Sequence, residues 1–226
     1  MRYFITLIAA CIITIAASAQ KPEKLSLLKV SSGMDVFTDL WQNMPDSINS
    51  RAINQGANIY AMYSFPMAKS NFSLALGVGI GSHNLYLKGI IKTDNTNQTG
   101  FYPVKSSTNV PISYTKSKLN LTYFDLPLEL RYKNKGEYRV SVGFKVGFLL
   151  SDHTKYKGNS LDGTGQKVKE KSAELENIEN IRYGLSALVG YKWVNLTLFY
   201  SLSKVFDVDR GPQVYPISLG IALRPY

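Results

Sequence analysis

The stretch that decides the fold is Tyr138-Arg139-Val140-Ser141-Val142-Gly143-Phe144-Lys145-Val146-Gly147-Phe148-Leu149-Leu150. Its even-numbered residues, from Tyr138 and Val140 through Phe144 to Phe148 and Leu150, are all apolar or aromatic. The odd-numbered residues from Arg139 to Gly147 are Arg, Ser, Gly, Lys and Gly. Successive side chains of a strand point to opposite faces, so one face here is apolar and the other polar or small. Strands in soluble proteins run to about six residues, whereas a tilted strand needs about ten to cross a bilayer. The length of this alternation predicts a membrane strand whose apolar face meets lipid.

The same period recurs on both sides of that stretch. Upstream, Phe124, Leu126, Leu128, Leu130 and Tyr132 oppose Asp125, Pro127, Glu129 and Arg131. Phe72 to Ile80 sets apolar residues against Ser73, Ala75, Gly77, Gly79 and Gly81, and Ala57 to Phe65 alternates in the same way. Downstream, Tyr183 to Trp193, Val194 to Leu202 and Tyr215 to Leu223 alternate. The weakest case lies near Leu28 to Phe37, where Val30, Met34 and Val36 face one way and Asp35 the other. Eight strands result.

Short connections (Pro66 to Asn71, Lys133 to Glu137, and near Trp193 to Asn195) take turns with long ones (Thr38 to Ala52, Gly89 to Lys116, Gly158 to Asn180, Asp207 to Gln213). That asymmetry predicts an all-β, eight-stranded antiparallel up-and-down transmembrane β-barrel, with short periplasmic turns and longer extracellular loops. An even strand number puts both termini in the periplasm. Phe65, Phe72, Tyr132, Tyr138, Tyr191 and Trp193 flank the short turns with outward parity. They are expected to form the aromatic girdle at the membrane–water boundary.

The N-terminus supports export. Met1-Arg2 is basic, Ile5 to Ala17 is nearly unbroken apolar sequence, and Ala17-Ser18-Ala19 is a small-x-small cleavage site. Residues 1–19 therefore read as a cleaved signal peptide and 20–226 as the barrel domain. Ile8-Ala9-Ala10-Cys11 resembles a lipobox, but the apolar run continues through Ile12 and Ile13, where a mature lipoprotein turns polar. Cys11 is the only cysteine, so ordinary cleavage removes disulfides and thiolate metal sites from consideration. The net charge of +10 invites a nucleic-acid reading. The lysines look scattered rather than massed, and an exported chain seldom meets nucleic acid. Anionic lipid headgroups are the expected counterpart, with no nucleic acid, no cofactor and a monomeric barrel.

The Gly77-Val78-Gly79-Ile80-Gly81 strand, Phe124-Asp125-Leu126-Pro127-Leu128 and Val142-Gly143-Phe144-Lys145-Val146-Gly147 resemble the PorT-like outer-membrane barrels of Bacteroidetes. The resemblance spans essentially the whole mature chain, and its motifs mark architecture rather than activity. It implies the barrel fold and, through the name-giving member, a link to type IX secretion; most members have no assigned role. One departure is Tyr226, whose parity is opposite to that of Leu219, Ile221 and Leu223.

Asp35, Asp125, Glu129, Arg131, Arg139, Lys145, Arg182, Lys192 and Arg224 have lumenal parity. Side chains fill so narrow a barrel, and unpaired buried charges cost several kcal/mol. A packed salt-bridge network is expected, with Glu129 near its centre and Arg139 or Lys145 as its partner. The competing reading is a narrow anion-preferring pore, because basic residues outnumber acidic ones in that set. Gly77, Gly79 and Gly81 have strand spacing with no following helix, so they make room for neighbouring side chains rather than cradle a phosphate. A lipid-modifying enzyme is the third reading. It would need a nucleophile and a base in contact, and only His83, after Ser82, and His153, after Ser151-Asp152, supply imidazole. Both read as incidental, and no metal site is expected.

Among the loops, Thr93 to Thr115 is polar around Phe101-Tyr102-Pro103, and Gln166 to Asn177 could form a short helix with Val168 and Leu175 on one face. Asp46-Ser47-Ile48 matches a short O-glycosylation pattern. The non-enzymatic reading ranks first: a barrel that binds another envelope component, a secretion-system protein among the candidates.

Overall fold

The computed structural model describes residues 30–224 except 47, 68–69, 105–111, 162–163 and 174. The expected signal peptide with Cys11, the Ser47 of the O-glycosylation pattern and Tyr226 lie outside the described residues. The strands are Val30–Gln42 (β1), Gln55–Pro66 (β2), Phe72–Tyr86 (β3), Ile90–Thr93 (β4), Thr99–Tyr102 (β5) and Tyr114–Lys133 (β6). Tyr138–Asn159 (β7), Lys167–Ala173 (β8), Ile181–Tyr191 (β9), Val194–Ser201 (β10) and Tyr215–Leu223 (β11) follow. Eight of them, β1, β2, β3, β6, β7, β9, β10 and β11, pair antiparallel with their neighbours in chain order. Pairing of β1 with β11 closes the sheet, so the barrel has no free edge.

The alternation read from sequence becomes the wall of this barrel. Val140, Val142, Phe144 and Phe148 on β7, Leu126 to Leu130 on β6 and Leu74 to Ile80 on β3 are exposed outward. An apolar surface this continuous has no place in water; it is the lipid-facing band. The first strand is longer than expected and ends at Gln42, because Phe37, Asp39 and Trp41 carry the inward parity of Asp35 onward.

β6 and β7, with 20 and 22 residues, run well past that band. A β-bulge lies between them where Thr122 pairs with Ser151 and Tyr123 with Leu149, leaving Leu150 over. One extra residue inverts the face assignment downstream. Asp152 and Tyr156 therefore point inward, and Ser151, His153, Lys155 and Lys157 outward. The segment expected as a helix is instead β8, hydrogen-bonded to the projecting end of β7 from His153↔Ala173 to Asn159↔Lys167. An overhanging strand with unpaired backbone groups offers a better partner than a short, highly charged helix could make alone. β4 and β5 form a separate two-stranded hairpin.

At the long-loop end the barrel is capped by an apolar cluster. Trp41, Leu85, Leu119 and Leu121 from the walls meet Ile48, Phe101, Ile178, Phe206 and Val214 from the loops. Phe206 is fully buried, and its ring meets that of Phe101 edge-on at 5.7 Å. The Trp41 indole donates to the Asn84 carbonyl at 3.1 Å.

Candidate functional site

Below the cap, the lumenal face carries charge in layers. Nearest the short turns, Glu129 on β6 accepts from Arg131 Nε at 2.8 Å and from Arg224 Nη1 and Nη2 at 2.8 and 2.9 Å. Arg224 Nε donates to the Tyr60 hydroxyl at 2.6 Å, and that hydroxyl donates to Asp35 at 2.8 Å. Arg131 also reaches the Ser31 and Ser64 hydroxyls. The next layer is Asp125, bound by Arg182 Nη2 at 2.8 and 3.1 Å, with Lys145 Nζ at 3.9 Å. The Arg182 guanidinium lies 4.1 Å from the centre of the Tyr123 ring and 5.1 Å from that of Phe199.

Inward glycines make these contacts possible. A Cβ at Gly147 would collide with Asp125 Oδ1, and one at Gly81 would sit 2.9 Å from Asp125 Oδ2. Between the charged layers lies a cavity of about 20 Å³, bordered by Asp35, Asn58, Asp125, Lys145 and Arg224. That is space for about one water.

Most of the expected lumenal residues are brought together, with two corrections. Glu129 is central, but its partners are Arg131 and Arg224; Arg139 and Lys145 are not among them. Arg224 follows the last strand and swings its fork across the bore onto both carboxylate oxygens, a bidentate match that Lys145 cannot offer. Arg139 lies half-buried at the short-turn end of β7, and Lys145 serves Asp125 instead. Lys192 is not lumenal. Tyr191 pairs directly with Val194, so Lys192 and Trp193 form the two-residue turn, with Lys192 at φ 53. Its ammonium lies in solvent, 3.9 Å from Glu137. Phe65, Phe72, Tyr132, Tyr138, Tyr191 and Trp193 are all exposed around the short-turn end, with Phe72–Tyr132 and Tyr138–Tyr191 ring pairs at 5.1 and 5.0 Å.

Sequence reasoning missed a third buried polar layer. Asp39 accepts from Ser218 Oγ at 2.6 Å and meets His83 Nδ1 at 3.0 Å. All three are buried. In this chain Asp39 is the middle member, so serine and histidine do not touch. A nucleophile needs its base in contact, and here the carboxylate binds both instead. His153 lies on the outward face of β7, across the wall from His83. The two histidines therefore do not assemble a rim site. Among the described residues, no group of three His, Cys, Asp or Glu is placed to hold a metal ion.

Residues 19–207 match the family model described as an outer membrane protein beta-barrel domain. Among solved structures the chain is similar to Ail, the attachment invasion locus protein of Yersinia pestis, solved in complex with the heparin analogue sucrose octasulfate. The identity is 14%, over 86% of this chain and 97% of that one, with a TM-score of 0.38. No curated protein matches.

Proposed function

The chain belongs to the outer membrane protein β-barrel domain family, and we propose that it is a closed, non-enzymatic member that presents its folded surface to another envelope component. The observation that carries this reading is the double seal. A charged network leaves only about 20 Å³ in the middle of the lumen, and an apolar cap covers the long-loop end. On this reading a hydrated ion or a metabolite has no path, and the outer surfaces and loops are what remains for function.

In this reading the long loops are extracellular, the short turns and both termini periplasmic, and the six aromatics anchor the periplasmic boundary. The likeness of Gly77–Gly81 and Phe124–Leu128 to PorT-like barrels supports a partner in the type IX secretion apparatus. Planar-bilayer recording tests the seal: the wild-type protein is expected to give no steady unitary conductance, and a reproducible one would refute the closed reading. Crosslinking in native outer membranes tests the partner, and recovery of the barrel alone would refute a protein component.

A further inference from the structure

The outward wall of β6 and β7 does not end at the lipid-facing band. Beyond Phe124 and Phe148 come a hydroxyl level, Thr122 with Ser151, and then Asn120 with His153. Above these stand two rows of lysines in register across three strands. Lys118 faces Lys155, which faces Lys171; Lys116 faces Lys157, which faces Lys169. Register partners share a face, with their Cβ atoms about 5 Å apart, and like charges so placed destabilise a sheet.

Nothing within the sheet neutralises them. None of the six is ion-paired with a carboxylate among the described residues. Glu170, opposite Tyr156, belongs to the other face. Among the described residues their neutral partners are the Asn84 amide oxygen, which accepts from Lys118 Nζ at 2.6 Å, and the Tyr86 ring, which Lys116, Lys118 and Arg51 approach at 5.5, 5.8 and 4.9 Å. Partial burial together with Lys116 and Lys155 pushes the Lys118 ammonium below its ordinary pKa. Lysines on an edge strand protect it from pairing with other chains, which would account for β8. It does not account for Lys116, Lys118, Lys155 and Lys157, whose strands are paired on both sides.

We infer that the two lysine rows on β6, β7 and β8 form a lateral binding face for the phosphate-bearing sugars of the outer-leaflet glycolipid. The position fits that occupant rather than a soluble one. Lys118 lies about 20 Å beyond Phe124 at roughly 3.3 Å per residue. For a strand tilt of about 40° this is about 15 Å above the apolar band. The rows continue the same face that touches lipid, so a glycolipid beside the barrel would bring its anionic headgroup against them. This inference rests on the proposed orientation, and it adds a lipid contact on the barrel wall to the protein partner proposed above.

The test uses the full chain purified from outer membranes, with lipopolysaccharide and its dephosphorylated form as probes in phosphatidylcholine vesicles. Replacing Lys118, Lys155 and Lys171 with Gln is expected to cut lipopolysaccharide retention by about tenfold or more, since each lysine near an anionic surface contributes severalfold. The same variant should melt higher than wild type in neutral detergent, because like charges have been separated. Wild-type retention should also fall with rising ionic strength, a readout that stands even if the variant folds poorly.

Unchanged retention, no salt dependence, or equal binding of the dephosphorylated lipid would overturn the inference. Equally tight binding of inorganic polyphosphate without lipid would overturn the choice of a lipid in favour of a soluble polyanion. Labelling intact cells with a membrane-impermeant amine reagent checks the orientation at Lys92, exposed on β4 and outside the two rows, and protection of Lys92 would overturn it. A conducting wild-type barrel would refute the sealed reading alone and leave the lysine result standing.

Discussion

Replacing Glu129 with Ala removes the acceptor on which two guanidinium groups converge. Three charge-assisted bonds of 2.8, 2.8 and 2.9 Å are lost, each worth about 1.5–3 kcal/mol in isolation. Simple addition overshoots, because Arg131 keeps the Ser31 and Ser64 hydroxyls and Arg224 keeps Tyr60. The appropriate scale is that of a buried pair broken on one side, about 3–5 kcal/mol. Urea unfolding of the barrel in micelles, followed by tryptophan fluorescence, measures it. The Glu129→Ala/Arg224→Ala double variant should recover part of the loss, with a coupling of about 2 kcal/mol or more. A loss below about 1 kcal/mol for Glu129→Ala, the value of an exposed pair, would refute the claim that this cluster is desolvated and holds the lumen together.

Phe206→Ala should cost about 3–5 kcal/mol by leaving a void under the loops. On the Glu129→Ala background it should produce a measurable conductance that neither single variant shows in planar bilayers. Gly147→Val would drive a branched side chain into Asp125, so the folded, heat-modifiable band should vanish from unboiled gels. His83→Gln should leave envelope lipid composition unchanged in mass spectra, since Ser218 and His83 share no hydrogen bond; an altered lipid profile would restore the enzymatic reading. His153 has its pKa lowered by partial burial and by Lys171 and Lys118, which outweigh Asp152. The folded state therefore resists protonation. Its contribution to stability is full above the unfolded value of about 6.5 and declines as pH falls toward the folded pKa. An NMR titration should place the midpoint below that of free imidazole, and Lys171→Gln should move it upward.

Strand parity was legible because each wall residue has one lipid side and one lumen side, and the chain has to keep that distinction for about ten residues at a time. The same rule carried Asp35, Asp125, Glu129, Arg131, Lys145, Arg182 and Arg224 to the inner face. It could not say which cation meets which anion, because partners such as Glu129 and Arg224 are 95 residues apart and meet across the bore. Asp39 was readable in principle, two residues beyond Phe37 in unbroken phase, but the expected long connection began at Thr38 and took it in. Lys192 was lost to the opposite error, a period continued one step into a turn. The bulge at Leu150 and the lysine rows depend on how β7 pairs with β6 and β8. No local pattern announces that registration, so lysines that look scattered along the chain are massed in space.

The two seals of the lumen rest on different physics, and temperature separates them. Apolar burial of the kind that holds Phe206 and its neighbours weakens on cooling. The desolvation cost carried by buried charges such as Glu129 and Arg224 falls on heating. Cold therefore loosens the long-loop end first, while warmth favours the ion pairs nearer the short turns. A barrel plugged by either device alone would leak at one end of the temperature scale; under the closed reading we propose, carrying both keeps the bore shut across it.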